Sequence, residues 1–146
     1  GELIDHIDGN TICEADHLFA TRLWQNNSKV HFDINAREDR KRLIYGGHII
    51  SLVRALSFNG LENAQLIVGI NGGTHANPVF AEDTIYCWSE VLDKIDLNVR
   101  NLAALRLRSV GTKEKTHNMK VKSDNGRYLP TIVLDFDYWV LVPKEL

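Results

Sequence analysis

From Gly46 to Phe58 the chain reads G-G-H-I-I-S-L-V-R-A-L-S-F, with apolar residues at Ile49, Ile50, Leu52, Val53, Leu56 and Phe58. The spacing predicts a helix over 46–58. Because these positions cover most of the circumference, it also predicts burial on nearly all sides. Gly46 and Gly47 open the helix and Asn59-Gly60 closes it, a good start and stop pair. The glycines let a ligand or another backbone approach the first turn, where free N–H groups and the dipole favour negative charge. Tight packing onto a sheet accounts for the same two residues.

Upstream, Gly1 to Asn10 is polar and Asp-rich, an opening strand or loop. Thr11-Ile12-Cys13-Glu14 has the form of a capping box. The segment it starts carries Ala15, Leu18, Phe19, Arg22 and Leu23 on one side, which predicts an amphipathic helix to about Trp24. After a polar break over Gln25-Asn26-Asn27-Ser28, Lys29 to Ile34 alternates, with Val30, Phe32 and Ile34 opposed to His31 and Asp33. That is a short strand or an extended loop. Arg37, Glu38, Asp39, Arg40, Lys41 and Arg42 form a mixed charge run of the kind that usually faces solvent.

Downstream the pattern turns to strands. Ala64 to Ile70 is an apolar run ending in Asn71-Gly72-Gly73, a turn or bulge signal. Pro78 makes 77–83 a loop. Thr84 to Leu92 is rich in β-favouring residues, and Leu102 to Val110 alternates. Asp124-Asn125-Gly126 marks a turn. Thr131 to Val142 is the longest predicted strand, with Ile132, Leu134, Phe136, Tyr138 and Val140 on one face and Asp135, Asp137 and Trp139 on the other. Arg106 and Arg108 are expected to pair with Asp135 and Asp137 across neighbouring strands, at a few tenths to about 1 kcal/mol each. The order predicts an α+β domain over 1–146, an antiparallel sheet wrapped around the long central helix.

Composition narrows the class. At 146 residues the chain can bury a real core in one domain. A formal charge of −2 gives no general attraction to nucleic acid or anionic membrane. Cys13 and Cys87 are too few for a disulfide framework, and no C-x-x-C pair suggests zinc. Reduced thiols and a cytoplasmic location are expected. No apolar run approaches the roughly 18 residues of a membrane span. The chain begins at Gly1 and its methionine is Met119, so a piece of a longer protein is expected.

A central helix followed by N-P-V-F-A-E-D-T and a strand resembles the hot-dog fold of MaoC-like dehydratases and (R)-specific enoyl-CoA hydratases. Their P-V-x-x-G-D-T turn corresponds to Pro78 through Thr84, with Glu82 in place of the usual glycine. N-N-S-K-V-H resembles their D-x-N-P-x-H motif, which places His31 on the catalytic histidine, Asn26 on the aspartate, and Ser28-Lys29 on Asn-Pro. The resemblance spans roughly 15–93 and implies reversible hydration of a short, branched or dicarboxylic enoyl-CoA. It implies no cofactor beyond coenzyme A as part of the substrate. Members of the group are generally double hot-dog proteins, so this chain corresponds to one half, the C-terminal one, with a second hot-dog domain or a homodimer partner.

The expected catalytic set is His31 as general acid/base, with Asp33 or Asn26 beside it. A neutral amide cannot act as a base but can hold a water. Gly46 and Gly47 are expected to present N–H groups to the thioester oxygen. His48 and His75, each on a Gly-flanked stretch, are expected to meet the substrate. Arg42, with Arg37, Arg40 and Lys41, is a candidate for the coenzyme A phosphates. No metal is expected, because two separated histidines lack further ligands. Two other readings stay open: a non-catalytic half that shapes the CoA tunnel for a partner, and a hot-dog thioesterase. The latter needs a carboxylate near the helix start, where Glu38 and Asp39 are the nearest acids in sequence.

Overall fold

The computed structural model describes residues 1–64, 66–99, 101–115 and 120–144. Five antiparallel strands form one sheet: β1 (Leu3–Thr11), β2 (Leu66–His75), β3 (Thr84–Asp96), β4 (Leu102–Thr112) and β5 (Ile132–Pro143). Their spatial order is β1-β3-β4-β5-β2. Helix α1 (Glu14–Leu23) follows β1, and α2 (Gly46–Leu56) lies on the inner face of the sheet. This is the hot-dog arrangement.

The core joins Ile49 and Val53 of α2 to Ile85, Leu107, Leu134, Phe136, Tyr138 and Val140 on the strands. Fully burying each such aliphatic side chain contributes on the order of 1.5–3 kcal/mol. The helix comes close because β4 carries Gly111 at the crossing. A Cβ there would lie 2.8 Å from Val53 Cγ2.

A chain of polar groups crosses this core. Arg54 Nη1 on α2 donates to the Tyr138 hydroxyl (3.0 Å), which lies 2.9 Å from Ser109 Oγ. Ser109 Oγ is 2.7 Å from Ser89 Oγ, itself 2.8 Å from His6 Nε2. His6 Nδ1 meets the Asn59 carbonyl at 2.6 Å. A guanidinium only donates and a carbonyl only accepts. With a neutral imidazole every hydroxyl must therefore point the same way, Tyr138 to Ser109 to Ser89 to His6.

Several expectations are corrected. α2 stops at Leu56, and it is not buried on nearly all sides: Ser51 and Ala55 are exposed and Phe58 is 60% exposed. One sheet covers one side of a helix, so only Ile49 and Val53 are fully buried while Ile50, Leu52 and Leu56 are partly so. The capping box does not form. Thr11 stays in β1 opposite Thr84, its hydroxyl 2.7 Å from that of Thr84, and Cys13 occupies the cap position without a side-chain bond. The apolar side of α1 faces outward, with Phe19, Leu23 and Trp24 exposed, while His17, Ala20 and Thr21 are buried. Lys29–His31 and Ile34–Ala36 are single 3-10 turns rather than a strand.

Asn71-Gly72-Gly73 bulges within β2 instead of ending it. Ile132 sits with Trp88 and Val110 in a cluster on the outer face, because the β4–β5 register shifts between Gly111 and Thr112. On that outer face the expected pairs form as bidentate forks, Arg106 with Asp137 (2.9 and 2.6 Å) and Arg108 with Asp135 (2.7 and 2.8 Å).

Candidate active site

His31 ends the turn Lys29–His31 and is fixed from the backbone of Leu43. Leu43 N–H donates to the Val30 carbonyl (2.9 Å), and His31 Nδ1 lies 2.8 Å from the Leu43 carbonyl. A carbonyl can only accept, so Nδ1 carries the proton and Nε2 the lone pair. Tyr45 meets the ring edge-on, centroids 5.9 Å apart. The segment 32–42, which carries the charge run, is thus looped out between two points tied together at its base.

Tyr45 precedes α2 as its cap residue. The first helical bonds run to its carbonyl from His48 (3.0 Å) and Ile49 (3.3 Å), and the N–H groups of Gly46 and Gly47 have no acceptor among the described residues. Both glycines also leave room for the tip of a neighbouring ring. A Cβ on Gly46 would lie 2.6 Å from His75 Nε2, and one on Gly47 would lie 2.6 Å from the Tyr45 ring. His75, the last residue of β2, therefore rests on the first turn of α2. His75 is exposed as a whole residue, and partial desolvation of its ring against this turn pushes its pKa below the ordinary histidine value.

These groups line a cavity of about 300 Å³. Its polar wall is His31, His75, Gly46 and Asn77, and the rest is apolar, including Ile44, Ile49, Val79 and Val133. The Pro78-Val79 wall is held in place by the bond from Ile44 N–H to the Val79 carbonyl (2.9 Å). Asn77, which the sequence marked only as loop, ties this wall to the start of β5. Its Nδ2 donates to the carbonyls of Leu129 (2.9 Å) and Ile132 (2.7 Å). Among the described residues, no carboxylate, lysine or arginine lines the cavity.

The other sequence candidates lie elsewhere. Asp33 caps the next turn, accepting from Asn35 N–H at 2.9 Å, and Asn26 closes a turn by accepting from Ser28 N–H at 2.9 Å. Their short side chains serve the loop in which they stand. The Arg42 guanidinium is engaged by Glu14 (2.5 Å) and by the Phe32 carbonyl (3.0 Å), tying the looped-out run to α1. His48 is on the opposite side of the α2 start, in an open apolar bowl with Phe19, Leu23 and Trp24. There burial lowers its pKa, opposed by Asp16. The structure thus brings together His31, Gly46 and His75. Among the described residues no group of three or more His, Cys, Asp or Glu side chains could hold a metal ion, and no helix is long and apolar enough to cross a membrane.

No protein-family model matches the chain. It is 58% identical over 144 residues to mesaconyl-CoA hydratase of Cereibacter sphaeroides, covering 99% of this chain and 42% of that protein. It is 54% identical over 150 residues to β-methylmalyl-CoA dehydratase of Chloroflexus aurantiacus, covering 99% of this chain and 43% of that protein. The crystal structure of a MaoC domain protein dehydratase from Chloroflexus aurantiacus superposes with a TM-score of 0.95 at 52% identity, over 100% of this chain and 43% of that one. The chain spans less than half the length of these relatives.

Proposed function

We propose that this hot-dog chain is one half of an acyl-CoA hydratase/dehydratase that adds water reversibly to a short, branched or dicarboxylic enoyl-CoA such as mesaconyl-CoA. One observation carries the reading. His31 has its tautomer fixed by the Leu43 carbonyl and lines an apolar cavity at the start of α2. Similarity to a hydratase and a dehydratase, the two directions of one reaction type, supports it.

In this mechanism Nε2 of His31 takes a proton from water as the oxygen adds to the β-carbon. The electron pair of the double bond moves toward the thioester, whose oxygen gains enolate charge. The free Gly46 N–H at the positive end of α2 is the donor that holds this charge. The imidazolium then returns its proton to the α-carbon, which completes the addition and restores neutral His31. Coenzyme A enters as part of the substrate, and a second hot-dog domain, from the remainder of a longer polypeptide or a second copy, completes the tunnel. Lys41, 5.7 Å from the Phe80 ring centroid, is the cation offered to its phosphates, while Arg37 over the same ring is held by Asp39.

The test is hydration of mesaconyl-CoA by the full-length protein and its His31→Ala and His31→Gln variants. Loss of the histidine should slow turnover about 10²- to 10⁴-fold. Equal rates would exclude His31 from the chemistry.

A second reading is a non-catalytic half serving a catalytic partner. The absence of a carboxylate from the cavity wall favours it, since Asn26 and Asp33 are both engaged in local turns. An unaltered rate in the same His31 variants, with full activity in the intact protein, is the result that this reading requires. The thioesterase reading finds no support in the cavity. Asp39 is held by Arg37 at 2.6 Å, and neither Glu38 nor Asp39 lines the wall.

A further inference from the structure

We propose that His75 is a specificity-determining residue that binds the distal carboxylate of a dicarboxylic acyl chain, so that charge, rather than fit alone, selects the substrate. The inference rests on the hydratase reading above.

The polar groups of the cavity can be assigned one by one. His31 Nδ1 is taken by the Leu43 carbonyl, and the Asn77 amide donates to two carbonyls. His31 Nε2 and the Gly46 N–H are occupied by the water and the thioester oxygen in the proposed reaction. His75 has no hydrogen-bond partner among the described residues, and the addition of water gives it no task. It nevertheless lies against Gly46, beside the point where the thioester is held.

A neutral acyl chain would want this wall apolar, as the rest of the wall is. A histidine without a partner in such a place weakens the binding of a methyl group and strengthens that of an anion. Among the described residues, the cavity wall holds no acid to repel a carboxylate and no lysine or arginine to compete for it. The titratable group facing His75 across the cavity is His31. On the outer face of β5, Asp135 is held by Arg108 and Tyr128 and is not offered to it. In the empty site His75 stays open to solvent, and partial desolvation of its ring against the cavity wall lowers its pKa. An arriving carboxylate favours the imidazolium, so binding takes up a proton and forms a charge-assisted bond.

The experiment compares mesaconyl-CoA with tiglyl-CoA, which has the same branched skeleton with a methyl group in place of the distal carboxylate. Both are given to the full-length protein and to His75→Ala, His75→Gln and His75→Lys. The expected result is a rise in KM for mesaconyl-CoA of about 10- to 100-fold in the Ala and Gln variants. Turnover of tiglyl-CoA should be unchanged or improved, and the Lys variant should recover the preference for the carboxylated substrate. Equal losses on both substrates, or no change on either, would overturn the role of His75 while leaving the hydratase reading in place. Failure of the unaltered protein to hydrate either substrate would overturn the hydratase reading, and His75's role with it.

Discussion

Glu82 shows how a single backbone angle can be read from residue type. Its φ of +74° lies in the left-handed region, which a Cβ disfavours by roughly 1–2 kcal/mol. This is the position at which the resembling P-V-x-x-G-D-T turn carries glycine, so that preference has a steric cause. The turn itself is held by Asp83, whose carboxylate accepts from Phe80 N–H (2.8 Å) and meets Lys113 (2.8 Å). Glu82→Gly should stabilise the fold by about 1 kcal/mol or less. Relief of strain exceeds the added freedom of glycine in the unfolded chain, about 0.4–1 kcal/mol. A urea titration that shows a lower midpoint would contradict this. Residue identity was less informative at Asp33 and Asn26. Both are short polar side chains suited equally to catalysis and to capping, and only the hydrogen bonds to Asn35 and Ser28 distinguish the two uses.

At the scale of elements, the contact of α2 with β4 is set by the pair Val53 and Gly111. A methyl group at 111 would also lie 3.3 Å from both Leu134 Cβ and Val133 Cγ2, so backbone and core would have to shift. Gly111→Ala should destabilise by about 1–3 kcal/mol through overpacking. Combining it with Val53→Ala should recover part of that loss, a coupling read from a double-mutant cycle of unfolding free energies. Strict additivity would show that the two do not compete for the same space. The strands and α2 were legible in the sequence because their periodicities of two and 3.6 are generated by burial on one face. α1 was misread for the complementary reason. Phe19, Leu23 and Trp24 have helical spacing, but the chain's own core takes His17, Ala20 and Thr21 instead. Periodicity identifies a helix more readily than it identifies which surface covers it. His31 and His75 were each singled out by the sequence, but that they line one cavity follows only from packing, because β2 and the loop before α2 are distant in sequence.

For the molecule as a whole, burial lowers the pKa of His6, His17, His48 and His75. The unfolded chain therefore binds more protons than the folded one at mildly acidic pH. Stability from these groups is full above the unfolded value of about 6.5 and is lost as pH falls below it. Asp135, where burial opposes the Arg108 guanidinium and is overcome by it together with Tyr128, and Asp137, held by Arg106, lie below the ordinary carboxylate range and add a second loss only at lower pH. Urea midpoints should fall between pH 7 and pH 5, and a flat profile over that range would be incompatible with depressed pKa values at the buried His6 and His17 and the partly desolvated His48 and His75. The core chain from Arg54 to His6 makes the first of these losses collective. Adding a proton to His6 Nε2 obliges Ser89, Ser109 and Tyr138 to reverse their hydroxyls together, leaving the Tyr138 proton without an acceptor. The same one-way arrangement has a consequence for isotopes. Each of the three hydroxyl protons is sealed in the interior and committed to its neighbour, so none can be replaced by deuterium from outside while the others stay in place. In heavy water they should be exchanged together, on the timescale of opening the sheet itself.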